Sequence, residues 1–126
     1  MMIAAILESG RLERLYTGLS LLVSAAADGR PARGLVSFGA LAPMLDPDLH
    51  ARAAEAEAIA DAATFARSLA ELRDTARELE DCRLWACAAA VELTGASAEA
   101  VEARLDGVMS TPRFLREVAG ADLVVV

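Results

Sequence analysis

A short apolar run followed by a helical pattern is the feature that most constrains how this chain can fold. Residues 2–7 are continuously apolar, which is typical of a strand buried on both faces of a parallel sheet. From residue 12 to residue 26, apolar side chains recur every three or four positions, as on one face of an amphipathic helix. A second apolar run follows at residues 35–38. Two parallel strands joined by a helix form a right-handed βαβ unit, so we predict an α/β domain.

Residues 48–94 contain neither Gly nor Pro, and the first part of this stretch predicts helices. We predict an Ala/Glu-rich helix at about 47–66 and a second helix at about 69–80, since Ser68 and Glu71 fit a capping box. One continuous bent helix is the alternative. The first of these segments has two open interpretations, a lid or a contact between subunits.

The last third of the chain alternates strands and helices. Residues 82–87 predict a third strand and residues 122–126 a final one. Short helical segments are predicted between them at 88–93, from Ser97 onward and at 111–118. We therefore predict a single domain over residues 1–126, with a three-layer α/β/α architecture of the flavodoxin-like type. Its mostly parallel sheet is expected to have about four to five strands.

The acidic composition disfavours several classes of partner. The chain has a formal net charge of −7, and all 12 of its basic residues are Arg. Such a chain repels nucleic-acid phosphates and has no basic cluster that would bind an anionic membrane, so we expect neither partner. Residues 15–27 loosely resemble a signal peptide, but Glu8 and Glu13 interrupt the segment before them. We expect a cytoplasmic location.

The two cysteines, Cys82 and Cys87, are predicted to be free thiols. Strand residues five positions apart are separated by about 16 Å and point to opposite faces, whereas a disulfide spans at most about 7 Å between Cα atoms. Free thiols are typical of a reducing compartment, in agreement with the expected location.

Ligands of parallel α/β sheets bind at the carboxyl ends of the strands, and this rule selects the candidate site residues. Cys87 is the candidate catalytic residue, because it ends a predicted strand where N–H groups of the next helix favour a thiolate. The same N–H groups suit an anion. The candidate anion-binding or substrate-binding residues at these strand ends are Ser9, Gly10, Phe38, Gly39, Ala88 and Ala89. The alternative is that Cys87 only packs in the core, as buried free cysteines often do.

No other residue offers comparable chemistry. Cys82 begins its strand, away from the ligand end, and is predicted to be structural. His50 is the only histidine, and without nearby cysteines or a credible serine partner it predicts neither a zinc site nor a catalytic triad. The common glycine-rich phosphate-binding motifs do not occur. We therefore predict no metal and no cofactor.

Two stretches of the chain carry a likeness to a known family. The first includes the segment from Leu12 to Tyr16 and the later Val36-Ser37-Phe38-Gly39 run. The second ends at Gly95 and contains Ala86-Cys87, followed by a short helix. Together they resemble the DsrE/DsrF-like family of small sulfur-relay proteins, some of which are called peroxiredoxin-like.

This resemblance implies a fold, an assembly and a reaction. The fold would be YchN-like, and the protein would form a homo-oligomer, a trimer or a hexamer. Cys87 would accept sulfane sulfur as a persulfide or thiosulfonate, and the partner would be a sulfur-carrier protein or a small sulfur anion.

Three functional hypotheses follow. The first is a sulfur carrier or sulfurtransferase that acts through Cys87. The second is a non-catalytic binding or assembly module in which Cys87 is structural, motivated by Ala88, Ala89 and Ala90, where relatives often have Met or Ser. The third is a thiol peroxidase, which is disfavoured because no resolving cysteine is predicted near Cys87.

Overall fold

A five-stranded, all-parallel sheet forms the centre of the computed structural model, which describes all 126 residues. Its strands lie in the order β4-β3-β2-β1-β5. They are β1 (Ile3–Leu7), β2 (Ala32–Val36), β3 (Cys82–Cys87), β4 (Val108–Met109) and β5 (Asp122–Val125). The predicted α/β class, with helices on both faces of a parallel sheet, is confirmed.

Six α-helices connect the strands. They are α1 (Leu12–Ala27), α2 (Leu41–Leu45), α3 (Ala62–Glu78), α4 (Ala88–Thr94), α5 (Ala98–Arg104) and α6 (Thr111–Glu117). Three short 3-10 helices lie at Phe38–Ala40, Leu49–Ala51 and Ala53–Glu55. None of the helices combines the length and the apolar character needed to span a bilayer.

The two faces of the sheet are covered differently. A Cβ atom at Gly34 would meet Leu22 of α1 and Leu84 of β3, so Leu84 faces the α1 layer. Its neighbour Trp85 points the other way, because successive strand residues alternate, and packs edge-on against Phe114 of α6 at 6.3 Å between ring centroids. The helix α1 packs beside α3, whereas the short α6 covers the opposite face.

Leucine and alanine dominate the hydrophobic core, as expected from the scarcity of aromatic residues. The buried side of α1 is formed by Leu12, Leu15, Gly18, Leu19, Leu22, Ala25 and Ala26. These residues recur at the helical spacing, so the burial of one face explains why this segment is a helix.

The predicted helix at 47–66 is wrong, and so is the alternative of one continuous bent helix. The side chain of Asp46 accepts a hydrogen bond from the Asp48 N–H at 2.8 Å and pairs with Arg52 at 2.6 Å, which closes a turn where we predicted a helix start. Turns and 3-10 helices continue to Asp61, whose carboxylate caps α3 by accepting the Thr64 N–H at 3.1 Å. Alanine propensity does not produce a helix between residues 47 and 61 because this part buries almost no apolar face; only Leu49 and Ala56 are buried there, and helix begins at Ala62 with α3.

Other boundaries also differ from the prediction. The helix α3 passes through the predicted start at 69 without a break, and β2 lies at Ala32–Val36 instead of 35–38. The segment 39–45 contributes to a 3-10 helix and α2. The two-residue strand β4 was not predicted, because two residues are too few to produce a periodic pattern.

Candidate functional site

Cys87 lies where three strand ends meet. It is the last residue of β3 and the N-cap residue of α4, with extended backbone angles. On one side, the β2 and β3 register pairs Val36 with Ala86, which places Ser37 beside Cys87. On the other side, Cys87 pairs with Met109 of β4, and Thr111 follows two residues later. Parallel register therefore brings two hydroxyl groups to the cysteine.

The sulfur atom of Cys87 has polar neighbours on several sides. Its Sγ lies 3.9 Å from Oγ1 of Thr111, and the backbone N–H groups of Ala90 and Ala89 and the buried Ser37 hydroxyl lie on sides of the sulfur from which they favour the thiolate. Burial by itself raises the pKa of the Cys87 thiol, but these hydrogen bonds favour the thiolate and together outweigh burial. The pKa of Cys87 consequently lies below its ordinary value.

Access to this sulfur is restricted. Cys87 is only 4% exposed, and it lines none of the three cavities of the protein. Cys87 belongs to the hydrophobic core, yet the Thr111 hydroxyl lies 3.9 Å from its sulfur. Reaction at Sγ therefore requires the surrounding segments to separate locally.

The two glycines predicted as anion-binding residues, Gly10 and Gly39, pack closely against each other. A Cβ atom on Gly10 would lie 2.9 Å from the Gly39 carbonyl oxygen, and one on Gly39 would lie 2.8 Å from the Gly10 nitrogen. Ser9 uses its hydroxyl to accept the Arg11 N–H at 3.1 Å, at the start of α1. None of these three residues hydrogen-bonds the Cys87 sulfur.

Phe38 and the two alanines occupy different positions. Ala89 contributes its N–H to the sulfur, while Ala88 begins α4. Phe38 is 45% exposed and has a φ of 31°, which is a strained conformation for an aromatic residue. It lies at an apolar cavity of about 280 Å³ with Leu41, Ala42, Leu45, Thr94, Gly95 and Ala96.

Ser37 and Thr111 are the site residues that the sequence analysis missed. Ser37 was placed inside a predicted strand, but in register with the 82–87 strand it would have been recognised as a neighbour of Cys87. Thr111 was placed only as the start of a helix, because its position depends on the unpredicted β4.

The remaining candidates lie away from the sulfur of Cys87. Cys82 begins β3 and is 1% exposed; burial, with a smaller contribution from Asp106, raises the pKa of its thiol to about 11. Both cysteines are free thiols. His50 is exposed, and no group of three His, Cys, Asp or Glu side chains is placed to hold a metal ion.

Comparison with protein-family models gave no match for this chain, and comparison with curated proteins gave none either. The likeness to the DsrE/DsrF-like family therefore depends on the residues quoted above.

Burial of Cys82 predicts a specific loss of stability in alkali. The pKa of this thiol in the folded protein, about 11, lies above its ordinary value of 9.0. The contribution of the thiol to the free energy of unfolding is therefore complete below pH 9 and is lost as the pH rises through 11. Relative to Cys82→Ala, the wild type should lose about 2 kcal/mol of unfolding free energy between pH 9 and 11. Denaturant unfolding of both proteins across this range measures the difference, and a constant difference would contradict the burial of this thiol.

Proposed function

We propose that this chain is a small sulfur-trafficking protein in which Cys87 accepts and passes on sulfane sulfur. The observation that carries the proposal is the set of hydrogen-bond donors around its sulfur, which favour the thiolate in spite of burial. Thiolates, not thiols, are the nucleophiles in sulfur transfer. The resemblance to the DsrE/DsrF-like family supports the same reaction.

The reaction is an exchange without net oxidation. The Cys87 thiolate attacks the outer sulfur of a donor persulfide, a new S–S bond forms, and the donor leaves as a thiolate. Cys87 then carries a persulfide, which an acceptor thiolate removes by the same attack. A thiosulfonate group arrives from a donor that already carries it: the Cys87 thiolate attacks the donor's sulfane sulfur, the S–S bond to the donor breaks, and the donor leaves as a thiolate. The Thr111 and Ser37 hydroxyls are suited to stabilise the negative charge of the Cys87 thiolate that re-forms when the sulfur is passed on.

A reversible peroxide reaction is less well supported. A thiol peroxidase of the two-cysteine type needs a second thiol to resolve the sulfenic acid. The other cysteine, Cys82, stands at the opposite end of β3, is 1% exposed, and has a raised pKa.

Intact-mass spectrometry tests the sulfur-relay proposal. Incubation with polysulfide or a persulfide donor should add about 32 Da per transferred sulfur to the wild type, and reduction by a thiol should remove it. Cys82→Ala is the matched control and should load normally, whereas Cys87→Ser should not load. Thr111→Val should slow loading by about tenfold, because it removes a hydroxyl that stabilises the thiolate.

Two results would contradict the proposal. One is a wild type that stays unmodified by every donor, and the other is equal loading of the wild type and Cys87→Ser. Circular dichroism of the variants establishes that each is folded.

A second proposal, assembly into a homo-oligomer, is supported by a different observation and is compatible with either a reactive or a structural Cys87. The helix α6 has seven residues, and it covers one face of a five-stranded sheet. On this side Leu123 and Val125 of the edge strand β5 remain about half exposed, as does Leu115 of α6. Exposed apolar side chains beside a free strand edge are typical of a protein interface. We propose that a second copy of the chain covers them in a homo-oligomer.

Analytical ultracentrifugation tests this assembly. The wild type should sediment as an oligomer, and Leu123→Arg should sediment as a monomer because it places a charge in the interface. Leu21→Arg changes a partly exposed leucine on α1, in the opposite layer, and should leave the oligomer intact. A monomeric wild type, or equal effects of the two substitutions, would rule out an interface on this face.

A further inference from the structure

A polar cavity of about 260 Å³ lies between α3 and α5, away from Cys87; we refer to it as the arginine pocket. Its lining residues are Arg73, Asp74, Arg77, Glu78, Ala103 and Arg104. The volume is below the roughly 300 Å³ at which sites for drug-sized ligands begin, so a ligand of this pocket would be small.

The guanidinium group of Arg73 is held in place by main-chain carbonyl groups of residues that do not line the pocket. Its Nη1 donates to the carbonyl oxygens of Pro43, Met44 and Asp46, at 3.2, 3.4 and 2.6 Å. These acceptors are neutral, so they orient the group without cancelling its charge. A donor held in place in this way loses little conformational entropy when it binds a ligand.

A second arginine of the pocket is held similarly. Nη1 of Arg77 donates to the Leu105 carbonyl oxygen at 2.8 Å, and its Nη2 donates to that of Glu102 at 3.4 Å. Its Nε lies 3.9 Å from the carboxylate of Asp106, which is not a lining residue. The charge of Arg77 is therefore partly balanced from outside the pocket.

Two guanidinium groups converge on one oxygen atom in this pocket. Oδ1 of Asp74 accepts both Nε of Arg73 and Nη1 of Arg104, each at 3.2 Å. The two arginines repel each other and share this carboxylate; the carboxylate of Asp46 also acts on Arg73, and Glu78 is the second acidic residue of the lining. Burial first, and then the charge of Arg104, lower the pKa of Arg73, which agrees with incomplete compensation.

Unused donors remain beside this shared oxygen. Nη2 of Arg73 and Nη2 of Arg104 make no hydrogen bond within the chain. The Arg73 residue is only 3% exposed. Oε1 of Glu13 is the sole side-chain nitrogen or oxygen that is both fully enclosed and without a hydrogen bond. Because Nη2 of Arg73 has no hydrogen bond either, it must retain some contact with solvent. The Asp74 side chain is 54% exposed, so an anion that displaces it from the two arginines moves it into solvent.

We propose that the arginine pocket binds a free inorganic oxyanion of the phosphate or sulfate type, held by Arg73 and Arg104. Planar guanidinium groups bind such oxygens through paired, charge-assisted hydrogen bonds. The anion takes the position between the two arginines that Asp74 Oδ1 holds in its absence. This inference is independent of the sulfur chemistry proposed for Cys87.

Titration calorimetry with inorganic phosphate tests the site, with chloride at matched ionic strength as the blank. The wild type should bind phosphate, and Arg104→Gln should weaken binding by about tenfold or more, because it removes charge-assisted donors. Arg116→Gln is the matched control, since Arg116 is exposed on α6 and lines no cavity. Asp74→Asn should strengthen binding severalfold, because it removes the competing carboxylate.

Each remaining outcome overturns the proposal. Absence of phosphate binding to the wild type does so, as does equal binding by Arg104→Gln and Arg116→Gln. Weaker or unchanged binding by a folded Asp74→Asn contradicts the shared position of anion and carboxylate. This measurement remains informative even if Arg104→Gln is unfolded. Glycerol phosphate that binds more tightly than inorganic phosphate would overturn the assignment to a free anion.

Discussion

The parallel register of β2, β3 and β4 is the constraint on which the candidate site depends. Val36 pairs with Ala86 and Met109 pairs with Cys87, so the chain leaves all three strands at the same level. Ser37 and Thr111 reach the sulfur only because of this alignment. A shift of either outer strand by one residue would turn its side chains to the other face and remove a hydroxyl from the site.

Burial and hydrogen bonding act in opposite directions on the two cysteines of β3. Burial of Cys82 outweighs the opposing charges of Arg33 and Arg83, and its pKa rises to about 11. Cys87 is also nearly buried, but two backbone N–H groups and two hydroxyls lower its pKa. The same strand therefore holds an inert thiol at one end and a thiol suited to nucleophilic chemistry at the other, which is the physical basis of the proposed sulfur relay.

The sequence predicted those features that local patterns determine. The strand at 82–87 matches β3 at both ends, and the stripe from Leu12 to Ala26 matches the buried face of α1, because apolar spacing directly reflects burial. The segment 47–66 was predicted incorrectly because alanine favours a helix only where a face is buried, and here Asp46 closes a turn. At the site, the cysteine was found from its position, but its hydroxyl partners come from strands distant in the chain.

Titration of the Cys87 thiol tests the central claim most directly. In a Cys82→Ala background, the ultraviolet absorbance of the thiolate can be followed against pH, with the same chain unfolded in denaturant as the reference. We expect the folded protein to titrate at a lower pH than the unfolded chain, and Ser37→Ala and Thr111→Val each to move the midpoint upward. A folded midpoint at or above that of the unfolded chain would contradict the account.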